Sequence, residues 1–171
     1  MKIDIIGSVA SGKTTLAATI SKTYKVPFYE KDNIVWVRTN QGDVRRPEDQ
    51  RDNLFQSIIE ADDWIVEGSP RKILNQSFDV CDYIILLDIN TLVRLKRVFI
   101  RWLRQRVGIE QYNSEPTIKF LKYNIKWVFE FNNDRDAILD RLSSYDDKIK
   151  VFRNSKDAEK FIIQVYSKTR K

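Results

Sequence analysis

Residues Gly7-Ser8-Val9-Ala10-Ser11-Gly12-Lys13-Thr14 match the pattern G-x-x-x-x-G-K-[ST] at every fixed position. The apolar run at 3–6 predicts a buried strand before this stretch, and periodic apolar residues predict a helix at 13–24 directly after it. Glycine lets the backbone turn so that successive N–H groups face one concavity, and a helix N-terminus there favours a polyphosphate. The stretch therefore predicts a phosphate-binding loop, or P-loop.

The side chains at the end of the loop have defined tasks in such sites. The lysine reaches the β- and γ-phosphates, and the hydroxyl residue after it ligates magnesium. We therefore predict that Lys13 binds the terminal phosphates of ATP or another nucleoside triphosphate, and that Thr14 ligates Mg²⁺. The predicted nucleotide contacts in this stretch are Gly7, Ser8, Ala10, Ser11, Gly12, Lys13, Thr14 and Thr15.

The rest of the chain alternates between short apolar runs and amphipathic stretches. The runs predict four more strands, at 28–29, 64–66, 83–87 and 149–152. The amphipathic stretches predict helices at 47–61, 91–107, from 114 onward, 134–142 and 156–168, and a polar stretch at 38–46 reads as a loop. Apolar strands that alternate with helices indicate a three-layer α/β fold, in which helices cover both faces of a parallel sheet.

The bulk composition narrows the classes of function. The chain has 171 residues, which suits a single domain over 1–171, and its formal net charge is +6. A basic balance fits anionic partners such as nucleotides, nucleic acid or a membrane surface. Histidine is absent from the sequence, which excludes catalytic triads, general bases and metal sites that depend on it.

The single cysteine and the first residues bear on the compartment. Cys81 has no second cysteine to pair with, which fits a reducing environment. Asp4 and Gly7 interrupt the apolar start, so it lacks the form of a signal peptide, and no apolar run reaches membrane-spanning length. We therefore expect a cytoplasmic protein without a membrane partner.

P-loop enzymes also hold an acidic side chain near magnesium. Asp32, Glu67 and Asp88 each lie at the end of a predicted strand or just beyond it. The carboxyl ends of parallel strands line the ligand crevice of an open sheet, so any of the three could take this role. Each could instead cap a helix or lie in solvent.

Four arginines recur in the helix predicted at 91–107 at spacings of three, four and three: Arg94, Arg97, Arg101 and Arg104. The opposing face is apolar and contains Leu95, Val98, Phe99 and Trp102, which we expect to dock on the sheet. Guanidinium groups stabilise the charge that develops in phosphoryl transfer, so the stripe favours that chemistry. The alternative is a solvated basic face.

The chain resembles the nucleoside-monophosphate-kinase superfamily. The resemblance rests on the P-loop, on Trp64-Ile65-Val66-Glu67-Gly68-Ser69-Pro70-Arg71, on the strand ending at Asp88 and on the basic helix after it. Within the superfamily the chain is most similar to small adenylate-kinase-related DNA topology modulation proteins. The resemblance implies a five-stranded parallel sheet in the order 2-3-1-4-5, and it favours Glu67 as the magnesium-side carboxylate, where the family usually has Asp.

The resemblance also implies roles on the acceptor side and at the lid. Asp32 would orient or deprotonate an acceptor hydroxyl, and Arg71 would contact an acceptor phosphate. An acceptor-binding arm would span about 32–61, and a short lid would span about 104–116. The remaining implied residues are Arg38 and Arg46 for the acceptor, Arg153 beside the nucleotide base, and Arg97, Arg101 and Arg104 as catalytic arginines.

The sequence therefore predicts a Mg²⁺-dependent phosphotransferase that acts on a nucleoside monophosphate or another small acceptor. The alternative is a nucleotide-binding regulatory protein that contacts nucleic acid with little or no kinase activity. Interleaved aromatic and basic residues typical of single-strand binding are not evident, so nucleic acid is not favoured. A GTPase switch is disfavoured because the sequence lacks Asn-Lys-x-Asp and lacks Asp-x-x-Gly after the second strand.

Overall fold

A computed structural model of the chain describes residues 1–39, 42–111 and 115–169. The strands are β1 Lys2–Gly7, β2 Phe28–Glu30, β3 Trp36–Thr39, β4 Gly42–Arg45, β5 Trp64–Gly68, β6 Tyr83–Leu87 and β7 Ile149–Phe152. The helices are α1 Lys13–Tyr24, α2 Lys31–Val35, α3 Glu48–Glu60, α4 Gln76–Val80, α5 Thr91–Arg106, α6 Ile118–Leu142 and α7 Ser155–Thr169.

Five of the strands form one parallel sheet in the order β2-β5-β1-β6-β7. This order is the predicted 2-3-1-4-5, because the hairpin strands β3 and β4 pair only with each other. The strand β1 lies at the centre, between β5 and β6, and its end leads into the predicted phosphate loop. The predicted three-layer α/β fold is confirmed.

Helices bury both faces of the sheet. Alternate residues of the central strands point to opposite faces, so Ile6 and Ile3 belong to different apolar clusters. The cluster around Ile6 includes residues of α2, α3, α4 and α6, whereas the cluster around Ile3 includes residues of α1 and α7. The cluster around Ile3 packs α1 against the sheet, and α1 is the helix that begins at the predicted phosphate loop.

A fully buried ion pair interrupts the first of these clusters. Lys31 Nζ donates to both carboxylate oxygens of Asp4 at 2.8 Å, and both side chains are inaccessible to solvent. Ser77 Oγ donates to Asp4 Oδ2 at 2.5 Å, and Lys31 Nζ lies 4.7 Å from the ring centroid of Phe78. Gly68 leaves room for this lysine, since a Cβ there would approach Lys31 Cβ to 2.7 Å.

The structure corrects several predicted elements. The stretch predicted as a polar loop contains the antiparallel hairpin β3–β4. The helices predicted from 114 and at 134–142 are one helix, α6, because no glycine or proline interrupts residues 118–142. It begins at Ile118 with Thr117 Oγ1 accepting from Phe120 N at 3.1 Å, and the predicted start, Ser114, lies outside the described residues.

The predicted docking face of α5 is also wrong in part. Arg94 is buried and Phe99 is 50% exposed, the reverse of the expected arrangement. The reason is that α5 packs against α6: Arg94 donates to Val128 O at 3.3 Å and to the side chain of Asn132. Arg94 therefore joins two helices and does not belong to a basic stripe in the cleft.

Removing one partner of the buried pair should cost far more than removing an exposed one. Lys31→Met leaves Asp4 charged and unpaired, so we expect a loss of about 3–5 kcal/mol in the free energy of unfolding. The control Lys126→Met removes the exposed pair with Glu130 and should change it by less than about 1 kcal/mol. Urea denaturation of both variants measures the difference, and equal losses would contradict the assigned role of the pair.

Candidate functional site

The predicted phosphate loop connects the central strand to the start of α1. Gly12 has φ 99° and Ala10 has φ 58°, so the backbone passes twice through the left-handed region before the helix begins. A side chain at Gly7 would place its Cβ 2.8 Å from the carbonyl oxygen of Leu87 on the neighbouring strand. Glycine is therefore required at Gly7 for close approach of the backbone and at Gly12 for the turn.

The polar groups of the loop converge on the start of α1. Lys13 Nζ donates to Ser8 O at 2.8 Å. The hydroxyl oxygens of Ser8 and Ser11 are buried and have no hydrogen-bond partner within the described residues. Buried hydroxyls without partners are costly, so the loop has unused donors for a ligand that would bring oxygen atoms.

One arginine of α5 contacts the loop directly. Arg97 Nη1 donates to Ser11 O at 3.0 Å and to Ala10 O at 3.3 Å. The contact ties α5 to the loop through two of the loop's carbonyl oxygens. Of the arginines in the predicted stripe, Arg97 is the one joined to the loop by hydrogen bonds in the described part of the chain.

Glu67 lies beside the helix start. It is 4% exposed, and Thr14 Oγ1 donates to Glu67 Oε1 at 2.6 Å. The geometry follows from the sheet order, because β5 pairs with β1 and Glu67 stands opposite Ile5. Asp88 ends the neighbouring strand on the other side, where it accepts hydrogen bonds from Arg135 at 2.9–3.3 Å. Of the three candidate carboxylates, Glu67 is the one hydrogen-bonded to Thr14.

Burial shifts the pKa values of the two charged groups in opposite directions. Desolvation lowers the pKa of Lys13, although Glu67 and Asp32 oppose the shift by their negative charge. Desolvation raises the pKa of Glu67, while Lys13 and the hydrogen bond from Thr14 oppose it. Each side chain thus stabilises the charged form of the other.

Asp32 and Arg71, the residues predicted for the acceptor side, form an ion pair. Arg71 Nη2 lies 2.5 Å from Asp32 Oδ1, and both side chains are partly exposed. Asp32 is close enough to affect the pKa values of Lys13 and Glu67 by its charge. The structure therefore brings this pair next to the phosphate loop.

Sequence reasoning missed Glu30. It ends β2 directly opposite Glu67 in the sheet, and its charge also raises the pKa of Glu67. The signal was present, since Glu30 falls at the carboxyl end of a predicted strand like the three carboxylates considered. It lines a cavity of about 300 Å³ together with Asn33, Phe28, Tyr29, Ile34, Leu54 and Ile58.

The other predicted arginines lie in different places. Arg101 Nη2 donates to Asn124 Oδ1 at 3.0 Å, and its charge lowers the pKa of Lys13, so it lies beside the site. Arg104 is exposed on α5 and Arg153 is exposed after β7. Arg46 donates to Ile34 O and Asn33 O, at 2.9 and 3.1 Å.

The loop after β7 and the segment around the hairpin complete the surroundings. Ser155 Cβ lies 3.9 Å from the position a Cβ would take on Gly12, so the loop that carries Arg153 passes next to the phosphate loop. Arg38 donates to Asn33 Oδ1 at 3.1 Å and pairs with Asp43, which ties the hairpin to α2. Part of the predicted lid, residues 112–114, lies outside the described residues.

Three solved structures resemble the chain over nearly its whole length. An uncharacterized protein from Eubacterium ventriosum has a TM-score of 0.55 at 13% identity, covering 96% of this chain and 98% of that one. Shikimate kinase from Bacteroides thetaiotaomicron has a TM-score of 0.55 at 12% identity, covering 98% of each chain. Deoxyadenosine kinase from M. mycoides with bound dATP has a TM-score of 0.53 at 16% identity, covering 98% and 100%.

The chain has the P-loop kinase fold. No family model matches the sequence, and the comparison with curated proteins finds no match. At these identities the structural likeness is a likeness of fold. The closer likeness to the DNA topology modulation proteins stays a prediction.

None of the helices in the described residues is long and apolar enough to cross a membrane. No group of three or more Asp, Glu or Cys side chains among these residues could enclose a metal ion. Thr14 Oγ1 and Glu67 Oε1 are two protein oxygens that stand together at the predicted Mg²⁺ site. The pair fits the ion, because Mg²⁺ is held by one or two protein oxygens together with substrate phosphates and water.

The raised pKa of Glu67 predicts how stability depends on pH. The folded protein holds this proton more tightly than the unfolded chain does, so the contribution of Glu67 is fully present below pH 4.5, its ordinary pKa, and falls as pH rises through the raised value. Glu67→Gln removes this titration. We expect the free energy of unfolding of the wild type, minus that of Glu67→Gln, to decrease from pH 4 to pH 8 in urea titrations without nucleotide. A difference that increases with pH would contradict the assignment.

Proposed function

We propose that this protein is a phosphotransferase that moves the γ-phosphoryl group of ATP, or of another nucleoside triphosphate, to a small acceptor. The observation that carries the proposal is the 2.6 Å hydrogen bond between Thr14 and the buried Glu67, beside Lys13 at the start of α1. A hydroxyl and a carboxylate thereby stand together where a helix N-terminus receives phosphates. Mg²⁺ bound there would neutralise charge on the β- and γ-phosphates.

The side chains around the triphosphate have electrostatic and positional roles in this proposal. The backbone from Gly7 to Thr15 and the free hydroxyls of Ser8 and Ser11 bind phosphate oxygens. When the nucleotide binds, Lys13 Nζ gives up its hydrogen bond to Ser8 O and binds the β- and γ-phosphates. Arg97 holds the loop in shape through two carbonyl oxygens, and Arg101 adds positive charge beside Lys13. No protein nucleophile is needed, because positioning and charge neutralisation carry the catalysis.

The acceptor side favours a hydroxyl group without a phosphate. Arg38 and Arg46, the arginines expected to bind an acceptor phosphate, donate to residues of their own arm. Asp32 and Glu30 bring negative charge to the same edge of the sheet, and Arg71 already pairs with Asp32. Two structural neighbours are named as kinases of shikimate and deoxyadenosine, which both carry hydroxyl groups.

We therefore propose a neutral hydroxylated acceptor, with a nucleoside monophosphate as the second choice. In this reading Asp32 orients or deprotonates the acceptor hydroxyl. The cavity lined by Glu30 and Asn33 receives the rest of the acceptor. Residues 32–61 form the acceptor arm and 104–116 the lid of a single domain, with Arg104 on the lid and Arg153 beside the base.

The direct test is ADP release from Mg·ATP across nucleosides, small hydroxylated metabolites and nucleoside monophosphates. We expect turnover that depends on an acceptor, and we expect Lys13→Ala to abolish it and to weaken triphosphate binding at least about 30-fold, because a buried charged contact is lost. Lys22→Ala, an exposed lysine on the same helix, is the matched control and should behave as wild type. Slow hydrolysis that no acceptor stimulates would favour the nucleotide-binding regulatory protein instead.

The choice of carboxylate has its own test. Glu67→Gln keeps the shape of the side chain and removes its charge, so we expect the Mg²⁺-dependent kcat to fall about 10- to 100-fold, with a smaller change in nucleotide affinity. The matched control is Asp88→Asn on the other neighbour of β1, whose carboxylate is held by Arg135. Steady-state kinetics and nucleotide titrations compare the two. A larger loss of kcat in Asp88→Asn would mean that the carboxylate near magnesium is Asp88, which follows β6.

A further inference from the structure

The face of α5 that points away from the site is apolar and exposed. Six large apolar side chains lie within one arc of this helix, although such residues usually pack inside. They are Leu92, Val93, Phe99, Ile100, Leu103 and Val107, with exposures of 75%, 42%, 50%, 41%, 43% and 66%. Exposed apolar residues in one contiguous patch mark an interaction surface more often than single ones do.

Aromatic rings extend this face onto α6. Phe99 contacts Trp102 with ring centroids 5.9 Å apart, and Trp102 and Phe120 line the same crevice between the two helices. Phe120 contacts Trp127 at 6.1 Å, and Trp127 stacks with Tyr123 at 6.3 Å. We call the exposed surface of these two helices the α5–α6 face. Sequence inspection did not reveal the aromatic row, because its members come from two separate helices.

Basic side chains accompany the row. Arg106 lies over the ring of Trp102, 5.6 Å from its centroid, and Lys119 lies 6.0 Å from the ring centroid of Tyr123. Other basic residues on the two helices are exposed as well, namely Lys96, Arg104, Lys122 and Lys126. Neither α5 nor the first half of α6 contains an acidic residue.

The net charge of the protein is concentrated in this region. Residues 91–129 contain nine of the 30 basic residues and two of the 24 acidic residues, which gives a net charge of +7. The remaining 21 basic and 22 acidic residues give the rest of the chain a net charge of −1. Six of the nine basic residues are exposed on the α5–α6 face alongside its apolar side chains, namely Lys96, Arg104, Arg106, Lys119, Lys122 and Lys126.

We propose that the α5–α6 face docks on the surface of an anionic phospholipid bilayer. Amphipathic helices that combine aliphatic and aromatic residues with lysine and arginine lie in the bilayer interface, where anionic headgroups attract the charges. Tryptophan and tyrosine favour the same depth. This proposal departs from the expectation of no membrane partner, because folding places these apolar and basic side chains on one exposed surface.

Two other occupants fit the face less well. A second copy of the chain would bring two surfaces of like charge together, with no acidic side chain on α5 or on residues 118–129 of α6 to compensate. A single-stranded nucleic acid would match the charge and the rings, since bases stack on aromatics. It would find no partner for the exposed aliphatic side chains Leu92, Val93, Ile100, Leu103 and Val107.

Vesicle binding by the full chain tests the proposal. We expect the protein to sediment with vesicles of equal parts phosphatidylcholine and phosphatidylglycerol and to stay in solution with pure phosphatidylcholine, with binding that weakens as salt is raised. Lys96→Glu/Lys122→Glu should reduce the affinity at least about 25-fold, at about fivefold for each basic residue lost. Phe99→Ser/Leu103→Ser should release the protein from the same vesicles, because it removes apolar area that the lipid buries.

Matched controls lie on α7, where Lys160 and Ile163 are exposed on another part of the surface. Lys160→Glu and Ile163→Ser should bind vesicles like the wild type, and thermal unfolding should confirm that all variants fold. If the face variants bind anionic vesicles as well as the controls do, the proposal is wrong. The proposal is also overturned if the wild type does not bind the vesicles and the face variants lose another property instead. That property would be binding to a single-stranded oligonucleotide or self-association measured by sedimentation.

Discussion

Asp4 and Lys31 form an ion pair inside the molecule, with neither side chain accessible to water. Asp4 belongs to the central strand, three residues before the strand ends at Gly7, whereas Lys31 begins α2 directly before Asp32. The pair therefore joins the central strand to the start of α2. Charges this deep are retained only with close geometry and further hydrogen bonds, which Ser77 supplies. Gly68 has to stay without a side chain so that the lysine can pass.

The crevice built on this pair holds its charges in near balance. Lys13 and Arg101 are positive, whereas Glu67, Glu30 and Asp32 are negative, and burial works against the charged form of both Lys13 and Glu67. These charged groups neutralise one another only in part. A triphosphate would add negative charge for Lys13 and Arg101, and magnesium would add positive charge for the carboxylates. In the predicted phosphate loop, the hydroxyls of Ser8 and Ser11 likewise lack hydrogen-bond partners within the described residues. These groups fit the proposed ligand, which carries both phosphate oxygens and a cation.

Helix α5 serves two surfaces at once. Its inner flank carries Arg97, which holds the phosphate loop, and Arg94, which binds α6. Its outer flank exposes the apolar and basic residues of the α5–α6 face. A regular spacing of arginines cannot distinguish these environments, because the burial of each one depends on what packs beside it. The sequence therefore predicted four equivalent arginines, where the structure has one buried between helices, one on the loop, one beside Lys13 and one in solvent.

The sequence by itself determined the phosphate loop and the layered fold, because backbone turns, helix starts and apolar strands are local properties. It also determined the candidates Asp32, Glu67 and Asp88, since carboxyl ends of strands can be read from the pattern. Only the tertiary structure showed Thr14 bonded to Glu67 and Arg135 bonded to Asp88, and placed Glu30 opposite Glu67. It also engaged Arg38 and Arg46 within their own arm and joined the rings of two helices into one row. Those outcomes depend on which strands and helices become neighbours across long stretches of chain, and local sequence does not encode such distances.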